Sequence, residues 1–444
     1  MRGVKFPVGF KDMLKFPFIE ALMGRRSRRF FMGAEIPEGV FAYKSRHKTL
    51  PLTELEKLLI LSAVAGNTGW NFLIPYNDRY APHLPNYASA PGGRTFPSSA
   101  GFHVSEVFFT DDEGVFMLQT RDAFDLRKMK RIGSLDLQAT LENHRLRIRK
   151  IADGRLNLPP RDPHIEGHNH WVVNRPGSLF IFPVADVAFH NILNLCYYLQ
   201  NGYCLYDDVH GKKIEGIEKF KHLYNPNNLL PLSFIERYSL TEATTELVTS
   251  CYAGALMLQA MGLGGWMFNG VNPYSILGAS GDPEVPGLGF RYDQREGWAV
   301  PNVTGLKGVF EGHCPPHFPD MKSAIEAVVK KKFGPGGPFH DLTPGPWRDN
   351  AKIRGSAQVH NEEFQSCIAA QADYILERFG KFPGTVPTIL VFIYLQAHHI
   401  DVEFYDHYFK SSAYLRTHAE HMAKWHSRTD EHVSIQDELP SRRF

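Results

Sequence analysis

The chain has 444 residues, of which 43% are hydrophobic and 22% are charged, enough for about two or three folded units. Its 32 Phe, 18 Tyr and 6 Trp exclude disorder as the main state. The 49 Lys and Arg are balanced by 47 Asp and Glu, so the charge gives no reason to expect nucleic acid or an anionic membrane as a partner.

The cysteines and the apolar segments indicate a cytoplasmic protein. Five cysteines without CxxC spacing predict neither a disulfide framework nor a zinc ribbon, which suits a reducing compartment. The N-terminal sequence MRGVKFPVGF lacks the apolar region of a secretory signal. The longest apolar run, residues 386–395, is about half as long as a membrane crossing requires.

Hydrophobic periodicity predicts a mixture of helices and strands. In chain order these are a helix over 11–24 interrupted near Pro17, a helix over 51–65, a loop over 66–101, strands over 104–109, 115–119 and 179–184, and helices over 186–199, 241–262, 361–379 and 396–426. Thr53 and Glu56 form a capping-box pattern at the second helix. Thr241 is predicted to cap the helix over 241–262, and Gly262 to end it.

A Gly- and Pro-rich stretch suggests how the chain is divided. Residues 333–347 contain eight Gly or Pro and are predicted to be a linker. We therefore expect a main domain over 1–332 with an insertion at about 120–240, and a mainly helical C-terminal extension over 348–444.

Three segments carry candidate ligand-binding chemistry, the first being the run Arg25-Arg26-Ser27-Arg28-Arg29. Guanidinium groups and a hydroxyl this close together can hold a phosphate, although a run of charges is more often a solvated surface. The second is residues 93–101, whose small residues let backbone N–H groups approach a flat ligand; an ordinary loop is the alternative. The third is residues 262–270, where glycines beside Trp266 could admit a ring, or simply end a core helix.

The order of these three segments resembles the nitroreductase-like family of FMN-dependent oxidoreductases. The Arg-Arg-Ser-x-Arg motif of that family matches Arg25, Arg26, Ser27 and Arg29. Its Pro-Ser-Ala-Gly loop matches Pro97, Ser98, Ala100 and Gly101, with Ser99 as an extra residue. Arg94 before that loop is most similar to the peptide-azoline dehydrogenase (SagB-like) branch.

The resemblance implies an α+β nitroreductase-like fold, with a central, mostly antiparallel sheet, surrounding helices and a homodimer that binds FMN at its interface. It implies that Arg25 and Ser27 bind the FMN phosphate with help from Arg26. Arg29 is then expected near the ribityl chain or the pyrimidine edge, where a cation stabilises the reduced flavin.

The resemblance also assigns the remaining cofactor-binding residues. The loop of Pro97, Ser98, Ala100 and Gly101 is expected at the edge of the isoalloxazine ring, with a backbone or Ser98 donor near N5. Gly264 and Gly265 are expected to pass close to the ring from the other side. Lys307 is a further candidate for the phosphate. No protein nucleophile is required, so no catalytic side chain is assigned.

Histidine clusters offer a different chemistry. On a helix over 396–426, His399, Glu403 and His407 would be one turn apart, and His418 and His421 could share a face. Structural or solvent-facing roles are favoured over a metal site, and no metal is predicted there. The loop histidines 164, 168 and 170 and the pair His313-Cys314 are interpreted in the same way.

The preferred hypothesis is an FMN-dependent oxidoreductase that transfers a hydride between the flavin and a small-molecule or peptide substrate. Either NAD(P)H reduces the flavin, or the flavin dehydrogenates the substrate as in the SagB-like branch. The alternative is a non-catalytic protein that binds a ligand or a partner on a degenerate version of the same fold.

Overall fold

The computed structural model describes residues 6–121 and 137–427. Within those ranges the α-helices are α1 (Val8–Lys15), α2 (Phe18–Met23), α3 (Glu54–Ala65), α4 (Leu137–Arg145), α5 (Val187–Gln200), α6 (Leu232–Met261), α7 (Pro273–Leu277), α8 (Met321–Phe333), α9 (Asn350–Gly355), α10 (Glu362–Phe379), α11 (Val402–Tyr408) and α12 (Arg416–Trp425). The strands are β1 (Glu35–Ile36), β2 (Tyr43–Lys44), β3 (Asn67–Trp70), β4 (Gly92–Arg94), β5 (Ser105–Asp111), β6 (Gly114–Leu118), β7 (Ile148–Asp153), β8 (Leu179–Asp186), β9 (Cys204–Asp207), β10 (Lys212–Lys213), β11 (Leu229–Pro231), β12 (Gly264–Phe268), β13 (Arg291–Asp293), β14 (Asn302–Leu306), β15 (Phe310–Glu311), β16 (Ile389–Leu390) and β17 (Tyr394–His398).

A seven-stranded antiparallel sheet forms the centre of the protein. Its order is β12-β17-β8-β5-β6-β7, and β16 also pairs with β8. Phe108 of β5 lies opposite Phe182 of β8, and Gln396 of β17 lies opposite Phe180 on the other edge of β8. The expected mixture of helices with a mostly antiparallel sheet is therefore confirmed.

The central strand β8 is buried on both faces. Phe180 and Phe182 pack into one hydrophobic cluster with Phe290 and Phe310. Leu179 and Ile181 point the other way and pack with α3 and α6. This alternation is the period of two that a strand imposes on its side chains, so one strand supplies both cores.

The second helix of the sequence pattern forms as predicted. In α3, the Thr53 hydroxyl accepts a hydrogen bond from the Glu56 amide at 3.3 Å. One carboxylate oxygen of Glu56 returns to the Thr53 amide at 2.7 Å, which completes a capping box. Helices α1 and α2 also meet around Pro17 as the sequence suggests.

The longest helix, α6, begins earlier than predicted. It starts at Leu232, after Pro231, so Thr241 lies inside it and its hydroxyl donates to the Arg237 carbonyl oxygen at 2.8 Å. A threonine inside a helix can donate to a carbonyl oxygen of the preceding turn. The presence of Thr241 therefore does not mark the start of α6. Gly262 does end the helix, with φ of 80°. In the described ranges, no helix is long and apolar enough to cross a membrane.

Strands β16 and β17, which fall within the predicted C-terminal extension, belong to the central sheet. Strand β17 lies between β12 and β8, and its residues were predicted to begin a helix over 396–426. The observed helices α11 and α12 follow as two short elements. Strand β8, which falls within the predicted insertion, is also central to the sheet. Strand pairing across such distances leaves no local signal in the sequence.

Candidate functional site

A large cleft lies beside α6 and beneath the glycine-rich loop. Its volume is about 1240 Å³. Its walls come from α2, α3, α6, residues 66–75 and residues 93–103, and they are mainly apolar and aromatic. A cleft of this kind with a few polar groups is typical of a small-molecule or cofactor site.

The loop singled out in the sequence forms one wall of this cleft. The structure brings Arg94, Pro97, Ser98, Ala100 and Gly101 together on it. Ala100 has φ of 47° and Gly101 has φ of 69°, so the backbone is left-handed at both positions. Non-glycine residues held in this conformation cluster at ligand sites, which makes the loop the best candidate for ligand contact.

The Ser98 side chain in the cleft wall is bonded to a buried carboxylate. Its hydroxyl donates to Glu246 Oε2 at 2.6 Å, and the Ser105 amide donates to Glu246 Oε1 at 3.0 Å. A serine hydroxyl has one hydrogen to donate. Ser98 therefore holds the loop on α6, and a donor toward a ligand must come from elsewhere.

Arg94 is the one arginine or lysine among the described residues that line the cleft. Its Nη2 donates to the Thr120 carbonyl oxygen at 2.8 Å. Burial lowers its pKa to about 10, and the charges of Glu106 and Glu246 oppose that shift. The guanidinium is therefore charged at neutral pH, so the cleft carries a fixed positive charge at this wall.

Three residues of the cleft wall have buried polar atoms without hydrogen-bond partners among the described residues: Asn67 Nδ2, Trp70 Nε1 and His103 Nδ1. The amide and indole nitrogens can only donate. Burial and the charge of Arg94 hold the pKa of His103 well below its usual range, so this ring is neutral. Unpaired buried atoms also occur elsewhere in the described residues, but these three lie in one cleft wall, where they suit a ligand that presents acceptors.

The arginine run lies at the end of α2, beside the cleft but not in its wall. Arg25 is half-buried, whereas Arg26 and Ser27 are exposed. Arg28 is the buried member, and its Nη1 donates to Gln259 Oε1 at 2.7 Å. Burial lowers the pKa of Arg28 to about 10, with a smaller opposing effect from the Tyr405 charge. Arg28, which occupies the variable position of the family motif, is thus the arginine of this run that the fold buries.

Arg29 has partners within the protein. Its guanidinium lies 5.4 Å from the ring centre of Trp171 and 5.1 Å from that of Trp266. Its Nη2 also donates to Asn169 Oδ1 at 2.8 Å. These contacts hold one end of the guanidinium, whereas Arg29 Nε is buried without a hydrogen-bond partner among the described residues, and Arg29 does not line the cleft.

Gly264 and Gly265 belong to β12 and do not line the cleft. Gly265 exchanges backbone hydrogen bonds with Arg28, at 2.8 and 3.2 Å, so these two predicted segments do meet. A Cβ on Gly265 would lie 2.2 Å from the Gln396 carbonyl oxygen. Close packing against β17 in the sheet therefore explains why position 265 is a glycine. Lys307 is in an exposed turn between β14 and β15, also outside the cleft wall.

We expect Gly265→Ala to lower the free energy of unfolding by about 2–4 kcal/mol, from backbone strain and overlap with Gln396. The backbone is strained because φ is 149°. Gly297→Ala is the matched control: φ is 83°, but no atom lies within 4 Å of the added Cβ, so about 1 kcal/mol is expected. Urea unfolding of both variants measures the difference. Equal losses would contradict the packing role of Gly265.

The tail histidines and the His313-Cys314 pair do not form the arrangements that the sequence suggests for them. His399 directly follows a strand, so His399, Glu403 and His407 are not spaced along one helix. Burial raises the pKa of the Cys314 thiol far above its usual value, which rules out a resting thiolate there. The neighbouring His313 donates from Nδ1 to Asp186 at 2.7 Å. This histidine serves the core of the protein and not a nucleophile.

The sequence did not identify Asn67, Trp70 and His103 as cleft residues. All three lie in or beside the stretch over 66–101 that is predicted to be a loop, but outside its candidate segment 93–101. Trp70 is 5% exposed, and a tryptophan within a polar, glycine-rich segment was the one available signal.

No family model matches the chain, and no curated protein matches it. Among solved structures, the chain is similar to a provisionally assigned nitroreductase from Ralstonia eutropha, with 15% sequence identity. The match covers 58% of this chain and 71% of that chain, with a TM-score of 0.26. This likeness is too distant to carry an argument, so the proposals below depend on the geometry of the cleft.

Proposed function

We propose that this protein is an FMN-dependent oxidoreductase whose cofactor lies in the cleft beneath residues 93–101. The observation that carries the proposal is the combination of an aromatic-walled cleft, one half-buried arginine and unpaired donors. The isoalloxazine ring is flat and apolar on its faces and has carbonyl and ring-nitrogen acceptors along its edge. The faces of such a ring would pack against the aromatic side chains, and its edge would accept hydrogen bonds from the unpaired donors.

Several residues would hold the cofactor in this proposal. Asn67 and Trp70 would donate to ring acceptors, and Arg94 would face the part of the ring that becomes negative on reduction. The phosphate would extend toward Arg25 and Arg26, because Phe18 and Ala21 of the preceding α2 line the same cleft. When bound, FMN would supply hydride transfer to or from an organic substrate.

The size of the cleft supports a reaction with a second molecule. At about 1240 Å³ it exceeds the roughly 300–1,000 Å³ that is usual for one bound ligand. The aromatic walls would exclude water from the space over the ring. A small-molecule or peptide substrate could occupy that space. Consumption of NADPH under air would favour the reductase chemistry, and its absence with a reducible flavin would favour the dehydrogenase chemistry.

A second copy of the chain would complete the site in this proposal. Large apolar side chains surround the mouth of the cleft: Phe18 is 70% exposed, Phe72 is 65% exposed and Ile74 is 89% exposed. Large exposed apolar side chains around one opening are typical of a protein interface. We therefore propose a homodimer, with the mouth of the cleft at the interface.

The first test is the absorption spectrum of the purified protein. We expect flavin bands, and about one FMN per chain released on denaturation. A colourless protein that takes up no FMN in a titration would contradict the proposal. It would favour the alternative of a non-catalytic binder, for which the internal partners of Ser98 and Arg29 are the supporting observation.

The second test places the cofactor in the cleft. Ala253 is a half-buried residue of α6 in the cleft wall, and Ala253→Trp is expected to weaken FMN binding at least about 10-fold by filling ring space. Thr245→Trp is the matched control, because Thr245 is an exposed residue of the same helix outside the wall. Fluorescence titration gives both affinities. Equal affinity in the two variants would place the flavin elsewhere.

A further inference from the structure

A buried cluster of one carboxylate and three imidazoles lies outside the cleft. We call it the Glu56 cluster, and its members are Glu56, His399, His421 and His426. Oε1 of Glu56 lies 3.3 Å from Nε2 of His399 and 2.8 Å from Nε2 of His421. The third imidazole, His426, places its Nε2 3.1 Å from the same oxygen. The four ligand atoms all lie within 4.8 Å of one another.

The opposite ring nitrogens of two histidines fix their tautomers. Nδ1 of His399 lies 2.9 Å from the Leu50 carbonyl oxygen, and Nδ1 of His421 lies 2.8 Å from that of Met261. A carbonyl oxygen only accepts, so each Nδ1 carries the hydrogen. With that hydrogen on Nδ1 and no second proton on the ring, the lone pair of each Nε2 faces the carboxylate. Lone pairs and an anion repel one another unless a cation lies between them.

The second oxygen of the Glu56 carboxylate is fixed by Thr53. Oε2 of Glu56 accepts from the amide and hydroxyl of Thr53, at 2.7 and 2.8 Å, which leaves Oε1 for the imidazoles. A backbone carbonyl behind two of the three imidazoles and a fixed carboxylate are supports that metal ligands typically have.

We propose that the Glu56 cluster binds one Zn²⁺ ion. Bonds of about 2.0–2.1 Å in a tetrahedral zinc site place neighbouring ligand atoms about 3.3 Å apart. The observed separations from Oε1, between 2.8 and 3.3 Å, are close to that edge length. Nitrogen and carboxylate donors suit zinc, whereas calcium and magnesium prefer oxygen alone.

Four protein ligands make a closed site, which is the pattern of structural zinc. The ligands come from the start of α3, the residue after β17, and α12 with its C-cap. Glu56 and His399 are 0% and 2% exposed, so the ion would be shielded. Zinc would therefore clamp the C-terminal segment onto the first turn of α3. None of its ligands lines the cleft, so this inference stands apart from the flavin proposal.

The test measures metal content and metal-dependent stability of the full chain, expressed with zinc in the medium and purified without a histidine tag. We expect about one zinc per chain by mass spectrometry of the metal. After removal of the metal with a chelator, added ZnCl₂ should raise Tm by about 3 °C or more. Added CoCl₂ should give the visible absorption of tetrahedral cobalt.

His421→Gln should reduce bound zinc at least 10-fold and abolish both the Tm shift and the cobalt spectrum. His418→Gln is the matched control, since His418 is a buried histidine of the same α12 that lies outside the cluster. If His421→Gln does not fold, His399→Gln replaces it. No zinc in the parent chain and no Tm shift on its addition would overturn the proposal. Full zinc content in His421→Gln, or one equivalent of iron instead, would overturn it as well.

Discussion

Asp186→Ala is expected to lower the free energy of unfolding by about 3–5 kcal/mol. The Asp186 side chain is fully buried and caps α5, accepting from the Phe189 amide at 2.9 Å. Its Oδ2 also accepts from His313 Nδ1 at 2.7 Å and from Arg121 Nη1 at 3.3 Å. The substitution removes the negative charge that faces the Arg121 guanidinium. It also removes the acceptor that caps the first turn of α5.

Asp186→Asn removes the negative charge but keeps the size and shape of the side chain. Its amide oxygen can still cap α5, so we expect a loss of about 1–2 kcal/mol. Burial lowers the pKa of His313, against the opposing effect of Asp186, so this ring is a neutral donor in the native state. Urea unfolding followed by circular dichroism measures both variants. A loss below about 1 kcal/mol for Asp186→Ala would show that the network contributes little.

Arg94→Met is expected to weaken FMN binding by about 10–100-fold and to lower the flavin reduction potential. A hydrogen bond to a charged group contributes about 1.5–3 kcal/mol, and a cation near the ring stabilises the reduced, anionic form. In the described part of the wall, Arg94 is the one lysine or arginine that can do this. Fluorescence titration and a spectroscopic redox titration give the two quantities.

Arg29→Met is the matched control for that substitution. The Arg29 guanidinium stacks near Trp171 and Trp266 and bonds Asn169, so its loss should lower stability by about 1–3 kcal/mol and leave the reduction potential unchanged. The sequence motif leads to the opposite expectation. A potential that moves with Arg29 and not with Arg94 would restore the motif-based assignment and place the flavin beside β12.

Local patterns predicted the parts of the fold that depend on neighbouring residues. Thr53 and Glu56 gave the start of α3, and Gly262 gave the end of α6. The hairpin of β5 and β6 also formed where alternation and a turn placed it. These features are stabilised within a few residues of chain, so a single sequence contains their causes.

Features fixed by distant partners could not be predicted in the same way. Within the run of arginines, burial selected Arg28, whose partners Gln259 and Ala413 lie 231 and 385 positions away. The helix predicted over 396–426 begins inside β17, because the sheet neighbours of that strand, β12 and β8, are also far away in the chain. Of the candidate site, the loop around Arg94 was predicted, but the donors of Asn67 and Trp70 were not, since only the fold leaves them unpaired.

The place of β17 in the sheet has a consequence for synthesis. A ribosome releases β8 and β12 long before β17, which separates them in the finished sheet. Until then the nascent chain has two unsatisfied strand edges and the apolar side chains of both faces exposed. Completion of the sheet therefore waits until β17 has left the ribosome, and a chaperone that shields strand edges would act on this protein during translation.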